Sequence, residues 1–228
     1  MELRLPGIFN GAFVLILVLL FLPNERLDAP KGSGGFIHNL KRFYPSVLGM
    51  LLLMICFFIF PTNFSAVCVK TTNLDPIAVT VIMVALDVVA ALVGVVFGGM
   101  MRLFRLSVKY FAPIFFLLGY LCFATSPSLP SLLVGCLFIG IANGIGVPYL
   151  NTIASIKAGQ DAATTVMPLL SAALYAGQFL SPLVATPLAA KFFPDNLSGI
   201  YWIACAFSIL FLLEAFATRR FQSLPPKE

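Results

Sequence analysis

The sequence predicts an all-α membrane protein, a polytopic bundle of seven transmembrane helices with its N-terminus outside and its C-terminus in the cytoplasm. Three observations predict this fold class: the composition, the number of long apolar runs, and the distribution of Lys and Arg between those runs. Of 228 residues, 60% are hydrophobic and only 10% are charged, whereas soluble domains average about 25% charged residues. A chain of this composition cannot cover a water-exposed surface, so we expect it to be embedded in a lipid bilayer.

Seven apolar runs are long enough to be considered as spanning helices, since a helix needs about 20 apolar residues to cross a hydrocarbon core of ~30 Å. The first run follows only four residues and has no small-x-small cleavage site, so we interpret it as a span rather than a signal peptide. The seven predicted spans are 5–22, 44–65, 76–101, 110–125, 129–156, 163–190 and 200–217.

The basic residues fix the predicted orientation. With the N-terminus outside, three of the 14 Lys and Arg residues fall on the outer side, namely Arg4, Lys70 and Lys191. The other eleven fall on the inner side, as the positive-inside rule requires. These eleven are Arg26, Lys31, Lys41, Arg42, Arg102, Arg105, Lys109, Lys157, Arg219, Arg220 and Lys227.

Composition also argues against several other classes of protein. The net charge of +5 comes from short loops between spans, so it predicts topology rather than a nucleic-acid-binding face. The five cysteines lack CxxC spacing and mostly lie in apolar runs, which predicts neither disulfides nor a zinc site. No HExxH or Ser/His/Asp pattern is present, so we expect no enzyme activity, no metal and no cofactor. The cysteines are Cys56, Cys68, Cys122, Cys136 and Cys205.

Asp87 is the most informative polar residue because it lies in the middle of the predicted span 76–101. An ionised Asp at a helix centre costs about 2.5–3.5 kcal/mol on insertion scales. A partner, protonation or water must offset this cost, which suits a proton site or a ligand for a cationic substrate. The alternative is a structural Asp that hydrogen-bonds a neighbouring helix.

Two amides lie at a similar predicted depth, Asn143 in the fifth span and Gln178 in the sixth. Tyr175 precedes Gln178 by three residues and therefore shares its helix face. Amides of this kind also join helices without binding a ligand. Tyr149 is expected to line an inner vestibule, and Glu214 is expected to snorkel or pair near the inner end of the last span.

Small residues predict close helix packing in two places. Gly94 and Gly98 are spaced i, i+4, as are Gly140 and Gly144, so each pair opens one helix face to a neighbour. Pro148 removes a backbone hydrogen bond within the fifth span and can bend it. Simple packing would explain these residues, and helices that pack closely and bend are also what a rocking transporter requires.

Three stretches resemble the Major Facilitator Superfamily of secondary transporters. Residues 94–105 are similar to the second copy of its Gly-x3-Gly loop signature, 140–148 to its Gly-rich tenth helix, and 173–182 to its eleventh helix in proton-driven drug-efflux members. Arg102, a candidate gating residue, stands where the loop signature usually carries an acid, so the resemblance does not extend to charge-relay gating at that loop.

The resemblance implies that the chain corresponds to family helices six to twelve, the C-terminal half of a transporter. Residues 1–23 would be helix six, 24–43 the cytoplasmic linker, 44–218 a six-helix half-bundle and 219–228 the cytoplasmic tail. Asp87, Asn143 and Gln178 would then lie on helices that line the central cavity. The implied partners are the lipid bilayer, a small-molecule substrate, and an N-terminal half-transporter or a second copy of the chain.

The function that we expect is export of a small amphiphilic molecule across the inner or plasma membrane by alternating access, coupled to protons. Uptake of a sugar or an organic acid is the first alternative. Sugar sites usually need more polar side chains than these spans carry, and organic-acid sites usually need a deep Arg or Lys. The second alternative is a non-transporting subunit or fragment from a split gene.

Overall fold

A computed structural model describes residues 36–72, 74–126, 128–194 and 196–219. The predicted first span, 5–22, lies outside the described residues, as do most of the linker and most of the tail. The described chain forms helices and no strand. Its helices are α1 (Phe36–Thr72), α2 (Pro76–Phe104), a short 3-10 turn (Arg105–Ser107), α3 (Val108–Thr125), α4 (Leu129–Gly159), α5 (Thr164–Phe192) and α6 (Gly199–Ala217).

Helix α1 is longer than the apolar run that predicts it. It begins at Phe36 instead of 44 and ends at Thr72 instead of 65, so it contains 37 residues and measures about 55 Å at 1.5 Å per residue. The apolar run marks only the part that can lie in a hydrocarbon core of ~30 Å. Polar residues such as Lys41 and Arg42 are good helix formers, so the helix continues beyond that core.

Helices α4 and α5 form one helical element, Leu129–Phe192, which is interrupted at Gly159. Gly159 has φ +64° and ψ −171°, a conformation that glycine adopts without steric cost and that other residues rarely adopt. The sequence predicts a loop between 156 and 163, and the structure shortens that connection to a sharp break at a single glycine.

Large apolar side chains pack between the helices in one continuous core. Its predicted outer end is aromatic: the Phe60 and Phe123 rings stack at 5.8 Å, and the Phe123 and Tyr201 ring centroids lie 5.0 Å apart. The Tyr120 hydroxyl donates a hydrogen bond to the Cys56 carbonyl, which joins α3 to α1. Helix α2 packs mainly on α4, and within the described residues it does not contact α6.

All six described helices are long and apolar enough to cross a membrane. Six crossings bring residue 36 and residue 219 to the same side, and positive-inside counting predicts that this side is cytoplasmic. The seventh span remains a prediction.

We expect a reporter fused after Glu228 to be cytoplasmic and a reporter inserted between Lys191 and Leu197 to be outside. The two positions lie on opposite sides of α6, whose 19 residues suffice for one crossing. Alkaline phosphatase and green fluorescent protein fusions at both positions measure this directly. Equal phosphatase activity at the two positions would contradict the topology.

Candidate functional site

Asp87 lies on an open face of α2. Its side chain is exposed, meaning that no other part of the described chain covers it. Apolar residues surround it on the same face, and Val84, Val88 and Leu92 are 56%, 53% and 63% exposed. Such a face suits lipid or another protein, but an ionised carboxylate in its middle does not suit lipid.

An adjacent face of α2 packs against α4 at two glycines. A Cβ atom on Gly140 would lie 2.8 Å from the Leu86 carbonyl oxygen, and one on Gly144 would overlap the Ala90 carbonyl oxygen. The two contacts advance by four residues on each helix, so α2 and α4 run in parallel with their backbones in close approach.

The other residues predicted to take part in gating or helix packing are packed less closely than Gly140 and Gly144. A Cβ on Gly94 would lie 3.9 Å from the Gly144 carbonyl oxygen, an ordinary contact, whereas among the described residues nothing lies within 4 Å of a Cβ on Gly98. Pro148 is half-buried inside α4, and Arg102 is exposed near the end of α2. The close packing therefore resides in the α4 pair.

Asn143 lies beside the α2–α4 contact. It is half-buried, and its Oδ1 is buried with no hydrogen-bond partner among the described residues. The glycine register places Asn143 about two residues from the level of Asp87, or ~3 Å along parallel helices. Helical geometry turns both side chains toward the same side of the α2–α4 pair.

Helix α1 contacts both α4 and α5, so its contacts show which residues of α5 lie at the same depth as residues of α4. A Cβ on Gly177 would lie 2.6 Å from the Leu51 carbonyl oxygen and 2.7 Å from the Met54 Cβ. On its other side α1 meets α4, where Leu53 contacts Gly146. Gly177 of α5 is therefore level with Gly146 of α4.

Gln178 and Tyr175 lie next to this contact and are exposed, Tyr175 by 68%. Combining the registers places Asp87, Asn143 and Gln178 within about four residues of one another, or ~6 Å along the bundle axis. No hydrogen bond among the described residues joins the three, and they belong to separate helices. The three residues thus lie at a similar depth in the bundle. The side chains of Asp87 and Gln178 are exposed, and that of Asn143 is half-buried.

Tyr149 and Glu214 are both buried. Tyr149 is 3% exposed and Glu214 is 7% exposed, so Glu214 does not snorkel, whereas pairing of Glu214 and an inner vestibule beside Tyr149 stay predictions. Both line a small pocket with Lys109, which is itself 6% exposed. The sequence shows Lys109 only as a topology signal, because nothing in a single basic residue before an apolar run reveals that it is buried.

In the described part of the chain, no group of three or more His, Cys, Asp or Glu side chains could hold a metal ion. The five cysteines are free thiols.

Residues 3–182 match the sequence profile of the Major Facilitator Superfamily. The chain belongs to this superfamily. Among the described helices the match covers α1 to α4 and α5 as far as Pro182, and it therefore includes the level that contains Asp87, Asn143 and Gln178. No curated protein matches the chain.

Membership in the Major Facilitator Superfamily makes the protein a multi-pass membrane transporter rather than an enzyme. Its spanning helices and its small-molecule class of substrate follow from the family. The residues that contact the substrate do not follow from the family match, and the geometry above supplies the candidates.

Proposed function

We propose that the protein is a secondary active transporter that exports a small amphiphilic molecule by alternating access, driven by protons. The observation that carries this proposal is Asp87, an acid on an open helix face at mid-span, level with Asn143 and Gln178. The proposed location is the cell inner or plasma membrane, with the orientation described above.

The physical argument begins with the cost of the carboxylate. On the open face of α2 an ionised Asp87 in contact with lipid would be unfavourable by about 2.5–3.5 kcal/mol. Binding a proton or a cation, or facing a water-filled cavity, removes that cost. The protonated or cation-bound form of Asp87 is therefore more stable than the bare carboxylate. A transporter that is coupled to protons requires such a preference.

The neighbouring open side chains suggest the chemistry of the substrate. Tyr175 and Phe179 are each 68% exposed on α5, and aromatic faces attract cations as well as apolar groups. Asn143 and Gln178 add neutral hydrogen-bonding groups at the same level. This combination favours a lipophilic molecule that carries a positive charge. Sugars would need a larger number of polar groups, and the buried cation Lys109 lies near a helix end rather than at this level.

The open faces of α2 and α5 support the proposal that a second helical bundle completes the site, either an N-terminal half-transporter or a second copy of the chain. Alternating access in this class arises when two bundles rock about a site between them. The polar residues of one bundle form only one wall of such a site.

We expect the chain alone, reconstituted in liposomes with a proton gradient, to transport a fluorescent lipophilic cation such as ethidium no faster than empty liposomes do. Co-reconstitution with a five-span N-terminal partner should restore transport, because the second wall is then present. The assay is ethidium fluorescence after imposing the gradient, with a protonophore as control. Transport by the chain alone would identify a second copy as the partner, and absence of transport in both preparations would favour a non-transporting subunit.

A further inference from the structure

A buried acid and a buried base share a pocket at the end of the bundle predicted to be cytoplasmic. The pocket is lined by residues of α3, α4 and α6, including Lys109, Tyr149, Phe211 and Glu214. Helix α2, which carries Asp87, contributes none of the lining residues. The pocket therefore lies among helices other than the one that carries Asp87.

Glu214 has one satisfied carboxylate oxygen and one that lacks a partner. Its Oε1 accepts a hydrogen bond of 3.0 Å from the Thr218 hydroxyl, one turn further along α6. Its Oε2 is buried and has no hydrogen-bond partner among the described residues. This oxygen lies close to α1 as well, 3.5 Å from the position of a Cβ on Gly49.

A buried carboxylate oxygen without a partner is unfavourable by several kcal/mol. Protonating Glu214 does not solve the problem, because a hydroxyl at Oε2 would then be a buried donor without an acceptor. The Lys109 ammonium attracts the carboxylate and lies in the first turn of α3, where the helix dipole also favours a negative charge. Both features oppose the cost of burying the carboxylate, but the hydrogen bond at Oε2 is still missing.

The charges in the pocket also select its occupant. Because the lining contains one acid, Glu214, and one base, Lys109, the pocket has no excess of acidic or basic groups that would favour an ion of either sign. A neutral molecule of water size, able both to donate to Oε2 and to accept from an ammonium, fits this environment.

We propose that the pocket binds one water molecule, which accepts a hydrogen bond from Lys109 and donates one to Glu214 Oε2. The water completes an ion pair between the first turn of α3 and the last turn of α6. Tyr149 of α4 forms the wall beside it. The site joins three helices at one end of the bundle.

X-ray radiolysis of the purified full chain in detergent and 18O-labelled water tests the proposal, because hydroxyl radicals formed from a bound water oxidise the side chains that touch it. Phe211 and Tyr149 should incorporate 18O within milliseconds although they are only 3% exposed. Phe116, which is 0% exposed and lies outside the pocket, is the matched control. Labelling of Phe211 no greater than that of Phe116 would overturn the proposal.

A double-mutant cycle provides the second test. Lys109→Met and Glu214→Met should each lower the unfolding temperature by about 10 °C, because each leaves one buried charge without its partner. The double variant should lie within about 3 °C of the native protein and should lose the 18O label at Phe211. Glu214→Gln keeps a group that can hold the water, so it should retain the label. Additive losses of stability, or an unchanged label in a folded double variant, would contradict a water-bridged pair.

Discussion

Replacing Asp87 with Asn is expected to reduce proton-driven transport by the complete assembly to the level of empty vesicles. The amide keeps the size and the hydrogen bonding of the side chain but cannot take up a proton or hold a cationic substrate by charge. Insertion should not suffer, because the cost of an ionised group on the open face of α2 is removed. The variant should reach the membrane at least as efficiently as the native protein.

Asp75→Asn is the matched control for this substitution. Asp75 is the exposed N-cap of the same helix, and its side chain makes no capping hydrogen bond, so the same chemical change there should leave transport unaltered. Asp87→Glu should retain part of the activity with an altered pH profile. Transport is measured against pH and normalised to membrane-inserted protein.

A structural Asp87 would give a different pattern. Losing a hydrogen bond between helices would lower the yield and the unfolding temperature of Asp87→Asn, while the residual transport would keep the native pH profile. Normal transport by Asp87→Asn would show that this residue is not the coupling site.

Two Gly→Ala substitutions should change stability in opposite directions. At Gly144 the new methyl group would overlap the Ala90 carbonyl oxygen; this atom belongs to the backbone and cannot turn away. We therefore expect Gly144→Ala to destabilise the bundle by about 1–3 kcal/mol and to separate α2 from α4. Transport should decrease as well, because the common depth of Asp87 and Asn143 depends on this contact.

Gly98→Ala is the control for the same chemical change on an open helix surface. No described atom lies within 4 Å of a Cβ there, and alanine is the better helix former by about 0.5–1 kcal/mol. The variant should be as stable as the native protein or slightly more stable. Thermal unfolding in detergent, followed by size-exclusion chromatography, measures both variants, and a loss of stability at both positions or at neither would contradict the packing described here.

The amino-acid sequence alone determined the class of the protein and the approximate position of each described span. Apolar runs of span length predicted all six described helices, because the composition of a segment determines whether it is stable in the hydrocarbon core of a bilayer. Hydropathy could not predict the ends of α1, because polar residues that form helices well extend this helix beyond the apolar run. The predicted connection at 156–163 likewise became a break at Gly159.

The tertiary structure decided which polar residues are covered and which are open. Sequence position placed Asp87, Asn143 and Gln178 near mid-span, but their common level depends on the registers set by Gly140, Gly144 and Gly177. These registers are contacts between helices far apart in the chain.

The burial of charged residues near helix ends also could not be predicted from the sequence. Lys109 and Glu214 both lie near span ends, where long charged side chains usually reach water, yet both are buried against neighbouring helices. Hydropathy describes each helix by itself, whereas burial depends on which helices pack around that end. For this reason the sequence located the spans and the mid-span acid, and only the packing revealed the buried pair.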